Sequence, residues 1–244
     1  MVDPPSAVHV IELGTLLVWA EKEGRRPPWR ELTDPYRVGV AEILLQKTRA
    51  RDVEPVWQQV VDRFRTPQAL ANAEAGEVFT IVQPLGLGIQ RTNRLKCMAA
   101  ELAAKGTSGP LSGLGPYGQA VVALSGGREP SSIPVDGNVA RVTCRYYGMT
   151  FDRGEPRKKP DVRAAVAHLL DTGSTPLTKL KILYSLVDLG EAVCKPRKPS
   201  CPVCPVAPAC RFAQTCARDA INSRTAEANA NARGGGTASE TRRI

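Results

Sequence analysis

The chain has 244 residues, seven cysteines and a formal net charge of +9, with a pI near 9.4. That is length enough for one domain or two small packed lobes, and a balance that points to an acidic polymer as partner or simply to a basic soluble protein. No apolar run reaches the ~18 residues of a membrane span, and the opening MVDPPSAVHV has no basic region followed by an apolar core, so the expectation is a cytoplasmic protein with reduced thiols, no membrane partner and, if the polymer is DNA, a nucleoid association.

In VIELGTLLVWA, Val10, Leu13, Leu16, Leu17 and Ala20 recur at helical spacing, which predicts a packing helix within residues 1–24. RRPPWRELTDP is then a loop, since Pro27 and Pro28 oppose helix; Arg25, Arg26 and Arg30 either meet phosphates or are solvated. YRVGVAEILLQKTR, residues 36–49, reads as one helix. Val38, Ala41, Leu44 and Leu45 form its apolar stripe, and Glu42, Gln46 and Arg49 share the opposite face. A solvated polar face is the plain reading of that pattern.

EPVWQQVVDRF, TPQALANA and EAGEVFTIVQ continue the helices, with Thr66 and Pro67 as a start signal. Gly86 and Gly88 permit a tight turn, and Arg91, Arg94 and Lys96 enter the next helix either as duplex-facing cations or as ordinary surface charge. In LSGLGPYGQAVVAL, Gly113 and Gly115 stand just before a helix, where backbone N–H groups and the helix dipole favour an anion. A Gly-x-Gly alone is weak evidence. In PVDGNVARV, Asp136 reads as the N-cap of a helix that turns Val139, Val142 and Thr143 inward. Arg141 and Arg145, one turn apart, contact phosphate or pair with acids. EPRKKP is a basic loop, and PLTKLKILYSLVDLGEAVC is a helix that runs into the cysteines. Residues 217–244 lack apolar periodicity and are expected to be disordered.

Cys194-x6-Cys201-x2-Cys204-x5-Cys210 follows, with Cys216 just beyond and only Cys97 and Cys144 elsewhere. Interspersed prolines restrict the backbone freedom lost when sulfurs converge. Four thiolates suit a structural zinc or a [4Fe–4S] cluster; a disulfide pair or inert thiols are the alternatives. Zinc sites usually pair two short knuckles, and here only Cys201 and Cys204 form one, so the wide arms fit a larger cluster better. Lys195, Arg197 and Lys198 project from this loop and would present charge to phosphates.

The x6-x2-x5 spacing resembles the iron–sulfur loop of the endonuclease III and adenine glycosylase (HhH-GPD) superfamily of DNA repair enzymes. PPWRELTDPYRV, AEILLQKT, LSGLG, PVDGNVARV and LVDLGEAVC extend the likeness over roughly residues 10–216. The resemblance implies an all-α, two-lobe helix–hairpin–helix fold, with 33–130 as one lobe and 1–32 plus 131–216 as the other. It implies a [4Fe–4S] cluster on Cys194, Cys201, Cys204 and Cys210, and a double-stranded DNA partner bound by a monomer. Asp136 falls at the family's catalytic aspartate and Glu42 at its catalytic or base-reading glutamate. Lys47 falls at the wedge that fills the gap left by a flipped base. Gly113, Leu114 and Gly115 match the phosphate-gripping hairpin, in which Ser112 replaces the usual proline. Gln46, Arg49 and Arg91 join Lys195, Arg197 and Lys198 as expected DNA contacts.

The lead-in KGTSGP is short, so the helix before the hairpin is either truncated or supplied by MAAELAA. Tyr117 stands where bifunctional members carry a Schiff-base lysine, which implies a monofunctional glycosylase. The missing C-terminal domain of adenine glycosylases and the tyrosine favour thymine or uracil opposite guanine as substrate. Glu42 keeps adenine opposite guanine or oxidised guanine as the alternative, a bifunctional pyrimidine-lesion enzyme is opposed by Tyr117, and a non-catalytic cluster-bearing DNA sensor is the reading from another class.

Overall fold

The computed structural model describes residues 12–151 and 153–218; Val10 of the expected first helix and residues 219–244 of the expected disordered tail lie outside them. Among the described residues there is helix and no strand, so the fold is all-α. No helix there is long and apolar enough to cross a membrane.

Helix α1 (Leu13–Glu23) buries Leu16, and a short 3-10 turn, Pro28–Glu31, follows where the two prolines predict loop. That turn sinks Trp29, which meets the buried Trp57 edge to face at 5.6 Å. Helix α2 (Pro35–Leu44) starts at Asp34, whose side chain accepts the Tyr36 N–H at 2.9 Å. It is buried along most of its length and packs on α3 (Ala50–Arg63), α6 (Gly88–Lys105) and α7 (Pro116–Ser125). The short helices α4 (Pro67–Asn72) and α5 (Ala75–Val82) pack on α6; α4 is capped by Thr66 as the sequence predicts. A second group forms around α10 (Pro176–Ala192), which packs on α1, α8 (Gly137–Tyr147) and α9 (Pro160–Asp171) and reaches across to α7.

The single helix predicted over 36–49 is not formed. α2 ends at Leu44, Lys47 turns into the left-handed region at φ 59, and Arg49 becomes the N-cap residue of α3. The cause is Arg91, predicted to face DNA. It is 3 % exposed, and its guanidinium donates to the carbonyls of Ile43 (3.2 Å), Leu44 (2.6 Å), Gln46 (3.1 Å), Leu85 (3.4 Å) and Gly86 (2.9 Å) and to the Thr48 hydroxyl (2.6 Å). Those are the orphan carbonyls of the end of α2 and of the turn before α6. All five donors are spent on protein, and none is left for a phosphate. Lys96 is likewise turned inward, onto the carbonyls of Ala71 and Ala73 at the end of α4.

The hairpin 106–115 returns directly from α6, which runs through MAAELAA, so the lead-in helix is supplied rather than truncated. Ser112, in place of proline, donates its N–H and hydroxyl to the Glu101 carboxylate at 2.6 Å each, which pulls that acid's pKa down. Gly113 has φ 83 and lies so close to α6 that a Cβ would stand 2.7 Å from that of Arg94; only glycine fits both demands.

Candidate active site and nucleic-acid interface

Between the two helix groups lies a cavity of about 460 Å³. Glu42 of α2, Tyr117 of α7 and Asp136 at the cap of α8 all line it, with Arg30, Lys47 and Tyr184. An adjoining groove of about 660 Å³ shares Glu42, Gln46 and Tyr117 and runs out along Arg94, Gly113, Leu114 and Gly115 of the hairpin. Three residues separated by tens of positions in sequence, each singled out there, thus meet in one place.

Asp136 is the N-cap the sequence predicts. One carboxylate oxygen accepts the Val139 N–H at 2.7 Å and the other accepts the Asn138 amide at 3.1 Å. The carboxylate is fixed in direction, and each oxygen keeps lone pairs for the cavity. Glu42 is half-buried, and desolvation pushes its carboxyl up to about 7, with Asp136 adding to the rise and Arg30 opposing it. Near neutrality it therefore exists in both forms, the condition for proton transfer. Burial, with Glu42, Tyr184 and Asp136 behind it, drives the Tyr117 phenol well above its ordinary value. It is a neutral hydroxyl here, with no amine to form a Schiff base.

Arg30 and Arg25 correct the loop reading. Neither is a free phosphate ligand, because both bind Asp188 of α10, which is buried. Arg30 reaches it at 2.6 Å and Arg25 at 2.8 Å, and Arg25 also holds Glu191 at 2.6 Å. Arg30 further lies over the Tyr184 ring at 4.4 Å. Tyr184 in the cavity wall and Asp188 behind it are the residues that local pattern misses; the one available signal is an acid inside the apolar run LVDLG, which needs a cationic partner if that helix face is buried.

Gln46 also points to protein. Its amide donates to the Gly113 carbonyl at 2.7 Å and its oxygen accepts from Arg94. It couples the turn after α2 to the hairpin. Lys47 and Arg49 are exposed beside it. Across the turns joined by Arg91 stands Leu87, also left-handed at φ 54; Lys47 and Leu87 are the non-glycine residues with positive φ among the described residues. Leu87 is 51 % exposed and Ile89 70 %. In both Lys47 and Leu87, a non-glycine backbone is held in the left-handed region while the side chain stands exposed.

Arg141 and Arg145 of α8, read as phosphate contacts or acid partners, hold the cysteine loop instead. Arg141 donates to the carbonyls of Cys194 (2.7 Å) and Gly190 (2.8 Å) and to the Asn138 side chain (2.7 Å). Arg145 donates to the carbonyls of Lys195 (2.7 Å) and Pro196 (2.6 Å) and to the Cys194 sulfur (3.4 Å), and lies over the Phe212 ring. Cys194, Cys201, Cys204 and Cys210 are free thiols. Burial raises the last three, and the thiols raise one another: Cys204, pushed to about 11, feels Cys210, Cys194 and Cys201. They share one neighbourhood, yet among the described residues no three His, Cys, Asp or Glu side chains gather tightly enough for a single metal ion. By donor type the four thiols would suit either a structural zinc or a [4Fe–4S] cluster. Lys195, Arg197 and Lys198 are exposed on that loop.

Glu42 yields a prediction. The folded protein holds its proton to about pH 7, whereas the unfolded chain releases it near the ordinary carboxylate value. Stability therefore falls as pH rises between the two. Glu42→Gln removes that penalty, so the variant matches the parent at pH 4 and exceeds it at pH 8 by up to about 3 kcal/mol, less where water screens the site. Urea melts at the two pH values read this directly; an equal gain at both would contradict it.

Comparison with known proteins gives the same surroundings. The family described as "HhH-GPD superfamily base excision DNA repair protein" matches residues 40–164. The thymine-DNA glycosylase of Aeropyrum pernix is 30 % identical over 194 residues, covering 75 % of this chain and 86 % of that protein. The adenine DNA glycosylase of Mycobacterium tuberculosis is 31 % identical over 194 residues, 75 % of this chain and 62 % of that protein. Among solved structures, a thermostable thymine-DNA glycosylase superposes with a TM-score of 0.70 at 25 % identity, over 84 % of this chain and 95 % of that one.

Proposed function

This chain belongs to the HhH-GPD superfamily of base excision DNA repair proteins, and from that premise we propose that it is a monofunctional DNA glycosylase that removes thymine or uracil mispaired with guanine. The observation that carries the reading is the meeting of Glu42, Tyr117 and Asp136 in one cavity. Duplex DNA lies across the cleft between a lobe of residues 33–130 and one formed by the N-terminal segment with 131–216, and the target nucleotide is extruded into the cavity. Lys47 and Leu87 enter the stack from which it came, offsetting the few kcal/mol that unstacking costs. Gly113 and Gly115 grip the backbone through their N–H groups, and Arg49, Lys195, Arg197 and Lys198 add phosphate contacts.

In the cavity, the Asp136 carboxylate faces the sugar as positive charge develops there and aims a water molecule at it. The bond from the sugar C1′ to the base nitrogen breaks, the water oxygen bonds to C1′, and the water proton is carried to the departing base, with Glu42 as the hydrogen-bonding and proton-transferring group. Tyr117 offers no amine, so the sugar–phosphate strand stays intact. A [4Fe–4S] cluster on Cys194, Cys201, Cys204 and Cys210 would tie the loop shut and hold its cations rigid, with every iron already bound by protein. The enzyme acts as a monomer on the nucleoid.

The test is base release from labelled duplexes holding G:U, G:T, A:G or A opposite oxidised guanine, each analysed with and without alkali. The expected result is strand breakage at G:U and G:T only after alkali, by a preparation with iron and acid-labile sulfide in equal amounts. Breakage without alkali, or binding with no release from any duplex, would overturn the reading. Preference for A:G would move the chain to the adenine branch, which Glu42 and the mycobacterial relative favour.

A further inference from the structure

We propose that the Tyr184 hydroxyl reads the extruded base, donating a hydrogen bond to a carbonyl oxygen of a pyrimidine held in the cavity. The proposal rests on the glycosylase reading above and adds to it a residue that the sequence did not single out.

The starting point is an unsatisfied group. The Tyr184 Oη is buried and has no hydrogen-bond partner in the protein. Such an orphan costs about 1–3 kcal/mol. Thr92, Thr143 and Tyr146 also carry buried hydroxyls without a protein partner, but none of them lines the cavity, and Tyr184 does. Its hydroxyl is within electrostatic reach of Glu42 and Tyr117, which line the same cavity, so the orphan stands at the wall of the space a ligand would fill.

The side chain is also held still. Arg30 lies over its ring at 4.4 Å, and Arg30 is in turn fixed by Asp188 at 2.6 Å and by the Arg25 carbonyl at 3.2 Å. Asp188 sits one turn further along α10 from Tyr184, and the guanidinium from the Pro28–Glu31 turn lies between ring and carboxylate. A tyrosine clamped on its face has a fixed hydroxyl direction, and an ordered donor loses little entropy on binding.

The chemistry sets the partner. Burial, with Glu42 and Asp188 adding to it, keeps the phenol protonated at any working pH. It is thus a permanent neutral donor beside Glu42, a group that exchanges its proton near neutrality. Uracil and thymine offer carbonyl acceptors next to a ring N–H donor. A fixed donor and an acid that can donate or accept match that alternation.

The experiment uses the full cluster-bearing chain and Tyr184→Phe. Affinities are measured for two duplexes opposite guanine, one with non-hydrolysable 2′-fluoro-deoxyuridine and one with a tetrahydrofuran abasic analogue. Tyr184→Phe should bind the uridine duplex about tenfold more weakly, the loss of one hydrogen bond. It should bind the abasic duplex as the parent does. Its thermal midpoint should rise, because the orphan hydroxyl is gone. Equal affinity changes on both duplexes, or none on either, would overturn the proposal. A parent that shows the Tyr184-dependent binding yet releases no uracil from a cleavable duplex would sink the glycosylase reading and leave this one standing.

Discussion

Asp136→Asn should fold, bind a G:U duplex as the parent does, and release uracil at least about 10²-fold more slowly. The reasoning begins with the cap. Asparagine and aspartate are nearly equal as N-caps, so the bond from the Val139 N–H, 2.7 Å in the parent, survives and α8 keeps its first turn. The Asn138 amide, which donates to the second Asp136 oxygen at 3.1 Å, meets an amide or a carbonyl depending on how the new side chain settles, a local change only. What is lost is the negative charge facing the sugar. Removing one group of this electrostatic kind typically costs 10²–10³ in rate. Asp136→Ala is the useful contrast: it also deletes the cap and should lose about 1 kcal/mol of stability. Single-turnover assays with matched denaturation curves separate charge from scaffold. Turnover of Asp136→Asn within tenfold of the parent would remove the residue from its role.

Arg91→Met should cost about 3–5 kcal/mol, because five donors vanish from beneath two turns and leave buried carbonyls unpaired. Against the 5–15 kcal/mol of a typical domain, that leaves a marginal protein. The damage is specific in place. Ile43, Leu44 and Gln46 lie on one side of the guanidinium, and Leu85 and Gly86 on the other. Arg91 therefore fixes the turns that carry Lys47 and Leu87 relative to each other. Arg91→Lys is the finer probe: it keeps the charge but offers three donors instead of a five-donor fork. It should retain the fold, expose 45–49 and 85–88 to limited proteolysis, and weaken duplex binding. A loss below 1 kcal/mol for Arg91→Met would mean that water or backbone shifts replace the arginine easily.

Several features were legible without coordinates because their cause is local. Asp136 before an apolar helix is an N-cap by its neighbours alone, and the cap is there. Gly86 can be foreseen as the tight residue of a turn, and its positive φ bears that out. The cysteine spacing puts four thiols on one short loop, and they do lie near one another in the structure.

Periodicity failed where a distant side chain intervened. Glu42, Gln46 and Arg49 share a face only if the helix continues, and Arg91, 45 to 48 residues away from the carbonyls it takes, ends it. Basic residues were the least readable class. Arg91, Arg141 and Arg145 look in sequence like Arg49 and Lys195. A long side chain with an apolar stem can turn its charge inward to satisfy carbonyls as readily as outward to phosphate.

By itself, the sequence determined several helices, the cap at Asp136 and the run of four thiols from spacing within a few residues, while the all-α helix–hairpin–helix fold was implied by the family resemblance. Only the tertiary structure decided which arginines are struts and which cations are free, that Glu42 sits in a cavity that lifts its proton affinity, and that Tyr184 has a hydroxyl with nowhere to go. Those are properties of burial and of pairs as far apart as Arg30 and Asp188, separated by 158 positions. Desolvation and Coulomb energy depend on distance in space, and no local pattern encodes that distance.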